Sequence, residues 1–351
     1  MKKVSNIITI LIIAIMLLPN IRIFAGNEDR SGQAGASELL INPWARSSGW
    51  GGVNTANARG LDAIFTNVAG LAFTQKTEVI FSQTQWLKGS DINISSFGFS
   101  QKAGETGVIG ISIMAMSFGD ILIRTVDQPE GGIGNFSPKF INIGVSYAKA
   151  FSNSIYGGIN FKIISESIAD ASAEGIAVDA GIQYVTGPTD NIKFGISMKN
   201  VGPTLKFSGD GFSFRGTMNN STNSLTIEQR SAEFELPSLI NIGASYDFIF
   251  NEKHRLTIAG NFTSNSFTKD QYMIGAEYGF MQYLMVRTGF CYESGIFDVS
   301  TRTNALTGPC AGFTIQAPLN KEKGSTFSID YSYRATNPFQ GCHTIGARIN
   351  L

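Results

Sequence analysis

The sequence predicts an all-β chain, a transmembrane antiparallel β-barrel of about 14 strands with an N-terminal plug or hatch segment. Three observations lead there. From residue 76 onward apolar and polar residues alternate with period two in segments of roughly 10 to 13 residues, longer than the ~5 to 6 of a globular strand and close to the ~9 to 11 that cross a tilted bilayer path. The segments number about 14, and an even count returns the chain to its starting side. The gaps between them alternate between brief and long, as periplasmic turns and external loops of an outer-membrane barrel do.

Composition agrees. Charged residues are 15% of the 351, against roughly 25% in an average soluble domain, while apolar residues reach 43%. Lys plus Arg (27) balance Asp plus Glu (27), so no basic excess is available to neutralise phosphates and nucleic acid is not an expected partner. Residues 7–18 form an apolar run that is too short to span a bilayer as a helix. Lys2 and Lys3 precede this run, and Pro19 and Asn20 break it before Ala25. Residues 1–25 therefore read as a signal peptide cleaved after Ala25, which implies export.

Residues 26–75 do not alternate, and the small-residue stretch 58–71 reads as a short helix or turn packed inside the barrel or under its mouth. Residues 76–351 form the barrel, with strands starting near residues 76, 91, 106, 139, 154, 173, 190, 236, 254, 269, 282, 308, 325 and 342. Ile141, Ile143, Val145 and Tyr147 illustrate the lipid face, with Asn142, Gly144, Ser146 and Ala148 between them. The brief gaps 102–105, 150–153, 187–189, 250–253, 281 and 319–324 are periplasmic turns, whereas 118–138, 200–235 and 293–307 are external loops. Tyr147, Tyr184, Tyr246, Phe248, Tyr278 and Phe280 sit near strand ends, where an aromatic girdle belongs. The parity changes from Ile92 and Ile94 to Phe97 and Phe99, which predicts a bulge at Ser95–Ser96. The first strand is weakly patterned. A soluble sandwich also alternates, but it needs neither such long strands nor a systematic difference between odd and even gaps.

Little in the sequence points to catalysis, and no cofactor is implied. The two histidines, His254 and His343, fall at opposite membrane faces, and neither has a partner at metal-binding spacing. Cys291, Cys310 and Cys342 map to external strand ends; a Cys291–Cys310 bridge across one hairpin is open, beside a role as small apolar filler. The glycine clusters 131–134 and 209–211 lack the Gly-Lys-Ser/Thr ending and the helix of a phosphate loop, so they read as turns. Lys162, Asp179, Lys193, Lys199, Glu277, Arg287, Asp330, Arg334 and Arg348 share the polar parity. Hydrocarbon penalises Lys or Arg by about 2 to 4 kcal/mol at the midplane, so these residues are expected to line the lumen. Lys162 with Asp179, Glu277 with Arg287 and Asp330 with Arg348 fall within diagonal cross-strand reach, which favours bracing and plug anchoring over an ion pathway.

A resemblance is carried by Ile41-Asn42-Pro43-Trp44-Ala45-Arg46, continuing to Ala56, and by Asp62-Ala63-Ile64-Phe65-Thr66-Asn67-Val68-Ala69-Gly70-Leu71-Ala72. These segments resemble the PorV/PorQ family of the Bacteroidota, which is itself similar to the FadL transporters, with 14-stranded barrels and an N-terminal hatch. Lys199-Asn200-Val201-Gly202-Pro203 is similar to a recurrent segment of that family. The chain departs from the pattern in having Val68 where Pro is common, within the hatch motif Asn67, Val68, Ala69 and Gly70. The resemblance implies a non-enzymatic outer-membrane protein of type IX secretion or cell-surface attachment. Its partners would be membrane lipid and the translocon or cargo C-terminal domains. External loops would do the binding through Ile121, Ile133, Phe136, Phe207, Phe212 and Phe214, unless those residues fold over the mouth as a lid. The alternative is a passive carrier of hydrophobic solutes. Glu28, Asp29, Arg30, Glu38, Arg46, Arg59 and Asp62 in the hatch make an apolar route less apt and favour a plugged barrel.

Overall fold

A computed structural model describes residues 26–217, 223–320 and 324–351; the expected signal peptide, residues 1–25, lies outside the described residues. Fourteen strands close into one antiparallel barrel. They are β1 (Thr77–Trp86), β2 (Ile92–Ala103), β3 (Gly107–Ser117), β4 (Lys139–Ala150), β5 (Ile155–Ile168), β6 (Ala171–Thr186) and β7 (Ile192–Val201), then β8 (Leu239–Asn251), β9 (His254–Asn265), β10 (Gln271–Phe280), β11 (Leu284–Glu293), β12 (Leu306–Asn320), β13 (Ser325–Thr336) and β14 (Cys342–Asn350). Each pairs with its sequence neighbour, and β14 closes onto β1 from Glu78↔Asn350 to Gln85↔His343. Closure leaves no unpaired strand edge, the condition for β-structure in hydrocarbon.

The outward residues form the apolar band the alternation anticipates, with Ile111, Phe161, Ile182, Ile196, Ile274 and Ile345 all exposed. Tyr147, Tyr184, Tyr246, Phe248 and Tyr278 are exposed near the short-turn end, the level at which aromatic rings anchor to headgroups. The long loops carry small ladders of their own: Ile121–Leu122 pairs with Asn135–Phe136, and Ser213–Thr217 with Ser224–Glu228.

No bulge occurs at Ser95–Ser96. β2 pairs with β1 in unbroken register from Trp86↔Ile92 to Thr77↔Gln101, and Ile94 and Ser96 both face inward. The parity changes because the inner face itself turns apolar there. Ile80, Ile94, Val108, Met114, Met116, Phe140 and Ile164 point into the lumen and bury against Leu39, Ile41, Trp44, Leu61, Ile64, Phe65 and Leu71 of the N-terminal segment. The weak patterning of β1 has the same cause: inward Ile80 meets the plug, while outward Gln83 accepts a 2.6 Å hydrogen bond from Ser95.

Residues 26–75 fill the lumen. They contain one α-helical turn, Ala45–Ser48, and five 3-10 turns, Glu28–Arg30, Ser37–Leu40, Asn54–Ala56, Gly60–Phe65 and Val68–Phe73. Trp44, Val53, Ala56, Leu61, Ala63, Ala69 and Leu71 have no solvent exposure at all. The barrel interior is thus a packed core and not an open pore.

Candidate functional site

Three features define the functional geometry: the ionic seam that holds the plug, the cavity above it, and the external loops. The plug motif acts through Asn67. Its amide donates 3.0 Å hydrogen bonds to the carbonyls of Thr55 in the plug and Ile182 in β6, and its oxygen accepts from the Ala69 N–H at 3.2 Å, capping the turn that Val68 begins. Gly70 closes that turn with a 3.0 Å bond to the Asn67 carbonyl. From the wall, Lys199 donates to the Phe65 carbonyl (2.8 Å), Ser197 to Thr66 (2.9 Å) and Gln183 to Thr55 and Ala58 (3.2 and 3.1 Å). Plug carbonyls without a partner in regular structure are satisfied this way, as a buried irregular segment requires.

Of the polar-parity charges, Lys162, Asp179, Lys193, Lys199, Glu277, Arg287, Asp330 and Arg348 are buried inside the barrel, and Arg334 is half-buried. Lys162 pairs with Asp179 at 2.6 Å and Arg287 with Glu277 at 2.5 Å. Arg348 is 3.9 Å from Asp330, but its closer partners are Asp62 of the plug (2.6 Å) and Glu78 of β1 (3.0 Å). Arg46 of the plug reaches Asp62 at 3.6 Å and Asp330 at 3.4 Å. Lys193–Asp247 (2.5 Å) and Arg255–Glu277 (2.6 Å) complete the set. Sequence reasoning missed Asp62, Glu78 and Asp247 as partners, because alternation places a residue inside without saying which plug residue lies opposite.

Above the plug, a cavity of about 440 Å³ opens externally. Trp86, Ile92, Met116, Phe118, Leu239 and Met273 line its apolar side, and Lys199 and Arg334 supply its cations. A neighbouring cavity of about 240 Å³ lies between Glu38 of the plug and Lys139, Phe140 and Glu166 of the wall. Loss of hydration raises the Glu38 carboxyl above its ordinary value, and a hydrogen bond to its own backbone N–H only partly offsets this. A carboxyl raised in the fold binds its proton more tightly there, so stability falls as pH climbs from the ordinary carboxylate value through the raised one. Glu38→Gln is expected to flatten that slope and raise the melting temperature at neutral pH; an unchanged slope in detergent melts across acidic to neutral pH would rule this out.

The six loop residues divide. Ile121, Ile133 and Phe214 are exposed, whereas Phe136, Phe207 and Phe212 are half-buried, with the Phe207 ring 5.6 Å from that of Phe234 and packed onto the lumen cluster. Phe207 thus folds over the mouth as a lid residue does, while Ile121, Ile133 and Phe214 remain at the surface. Cys291, Cys310 and Cys342 are free and buried. Cys310 faces Gly289 directly across the hairpin, so Cys291 is out of register for a bridge. His254 and His343 contact Tyr278 (2.6 Å) and Tyr331 (2.9 Å) at opposite barrel ends.

A closed, plugged barrel with an apolar outer band defines a membrane-spanning β-barrel of the outer-membrane kind. Residues 129–345 match the family described as "Type IX secretion system membrane protein PorP/SprF". The chain belongs to that family. The type IX association implied by the hatch resemblance stands at this level, and the family found is PorP/SprF, with nothing to single out PorV or PorQ. No curated protein matches the chain in sequence. Solved structures share its fold at low identity. The CymD monoaromatic hydrocarbon channel is 12% identical with a TM-score of 0.54, covering 88% of this chain and 97% of its own. The toluene transporter TbuX of Ralstonia pickettii is 13% identical with a TM-score of 0.54 and the same coverages, 88% and 97%. TodX of Pseudomonas putida, also a toluene transporter, is 12% identical with a TM-score of 0.53, covering 84% and 94%. At such identities the likeness speaks for the fold alone.

Proposed function

We propose that this protein works in type IX secretion or surface attachment by binding and not by catalysis or conduction, with its external loops receiving cargo C-terminal domains or the translocon. The observation that supports this reading is the sealed lumen beneath exposed apolar loop residues. A barrel whose plug is held by buried ion pairs offers no through-path, while Ile121, Ile133 and Phe214 at its outer face are apolar side chains that water does not stabilise. Deleting the gene should make type IX cargo accumulate in the periplasm. Ile121→Asp together with Ile133→Asp should weaken co-purification with cargo domains by about tenfold or more, the scale of losing an interface hot spot. Normal cargo export in the deletion strain would defeat the proposal.

One feature favours a second reading, a passive carrier of hydrophobic solutes. The cavity above the plug joins apolar walls to two cations, and the solved relatives in fold are described as a hydrocarbon channel and toluene transporters. Uptake of a long-chain hydrophobic nutrient that disappears in the deletion strain, with cargo export intact, would select it.

A further inference from the structure

On the periplasmic side two cavities of about 240 Å³ and 220 Å³ meet at Arg46 and Arg59, which line both. The first adds Lys76 and Arg348, and the second adds Lys193, Arg255 and Arg287. Five side-chain carboxylates that face these cations are already engaged. Arg348 holds Asp62 and Glu78 (2.6 and 3.0 Å), Lys193 holds Asp247 (2.5 Å), and Arg287 and Arg255 share Glu277 (2.5 and 2.6 Å). Asp330 accepts from Thr314 and lies 3.4 Å from Arg46. Seven cations thus meet five side-chain carboxylates and the α-carboxylate of Leu351, which lines the first cavity. At the mouth Arg59 and Lys76 form no ion pair or side-chain hydrogen bond among the described residues, and Asp247 and Asp190 act on Arg59 only from beyond ion-pair distance.

Arg59 is exposed, and its guanidinium lies over the Phe73 ring at 4.5 Å. Stacking of this kind fixes the plane of the group and leaves its in-plane N–H donors for a planar oxyanion. The rim of the first cavity also carries four primary amides, Gln75, Gln282, Gln316 and Asn350. A primary amide offers both a donor and an acceptor, which matches the alternating N–H and C=O groups of a peptide backbone better than an oxyanion made mostly of acceptors.

We infer that the periplasmic mouth is a receptor site for an extended acidic peptide segment, its carboxylates held by Arg59 and Lys76 and its backbone read by the rim amides. The site lies on the face opposite the external loops and stands independently of the role given to them. Full-length protein in detergent should bind a fluorescent glutamate-rich peptide, with affinity falling as salt is raised. Losing one charge-assisted bond, Arg59→Gln should weaken it about tenfold. Lys149→Gln, at the periplasmic end of β4 and outside both cavities, should leave it unchanged. Normal heat-modifiable migration on gels shows that each variant remains folded. Equal binding of the glutamine counterpart peptide, an Arg59→Gln barrel that is folded and binds normally, or an equal loss in Lys149→Gln would overturn the inference. Competition by inorganic pyrophosphate as tight as by the peptide would overturn it too, by assigning a simple oxyanion site.

Discussion

Arg348→Leu is expected to cost the barrel about 3 to 5 kcal/mol, the usual penalty for removing one partner of a buried ion pair. Arg348 is 2% exposed and sits on β14, where it holds Asp62 of the plug, Glu78 of β1 and, at 3.9 Å, Asp330 of β13. Leucine fills much of the same space but strips Asp62 and Glu78 of their nearest cation in low dielectric. Arg46, at 3.4 to 3.6 Å, remains as an ion-pair partner for Asp330 and Asp62, and Glu78 keeps only the Leu61 N–H. The loss should appear as a lower urea midpoint, weaker heat-modifiable migration and faster proteolysis within residues 26–75. Adding Asp62→Asn to the variant should restore part of the stability, because the penalty lies in the stranded charge more than in lost packing. An Arg348→Leu barrel that unfolds at the wild-type midpoint would show that the seam does not hold the plug.

Alanine at Gly195 and Gly289 should unseat the plug and turn a closed barrel into a conducting one. An added Cβ at Gly195 would lie 2.4 Å from the Thr55 carbonyl oxygen, and one at Gly289 would lie 2.2 Å from that of Trp50. Both obstacles are plug backbone, which cannot swing aside as a side chain can. Overpacking of this kind costs about 1 to 3 kcal/mol per site, and here plug displacement offers the relief. Planar-bilayer recordings should show larger and more frequent ion conductance in the double variant. Gly260→Ala is the control, since its nearest non-neighbouring atom would be 3.9 Å away. A double variant as silent as the control would mean the plug tolerates the shift without opening a path.

Much of the architecture was legible in the sequence. The strand starts read from alternation lie within three residues of those observed, because lipid outside and packing inside act on every second side chain for the length of each strand. Lys162–Asp179 and Glu277–Arg287 were legible as neighbours across adjacent strands, although the ladder sets Glu277 directly opposite Arg287 and only Lys162 and Asp179 on a diagonal. The reading failed at Ser95–Ser96, where an apolar inner face looked like a register change. It also left Phe207 and Phe214 undivided, because composition cannot separate a loop residue folded onto the mouth from one facing water.

By itself, then, the sequence determined the barrel, its strand number and the presence of a plug, all consequences of solvent acting locally on periodic side chains. The tertiary structure alone decided which wall residues seat the plug, that Arg348 joins three separate segments, and that Arg59 stacks on Phe73 without an ion pair among the described residues. Those facts depend on how residues 26–75 thread back through the closed cylinder, and no period in the chain encodes the contacts of an aperiodic segment.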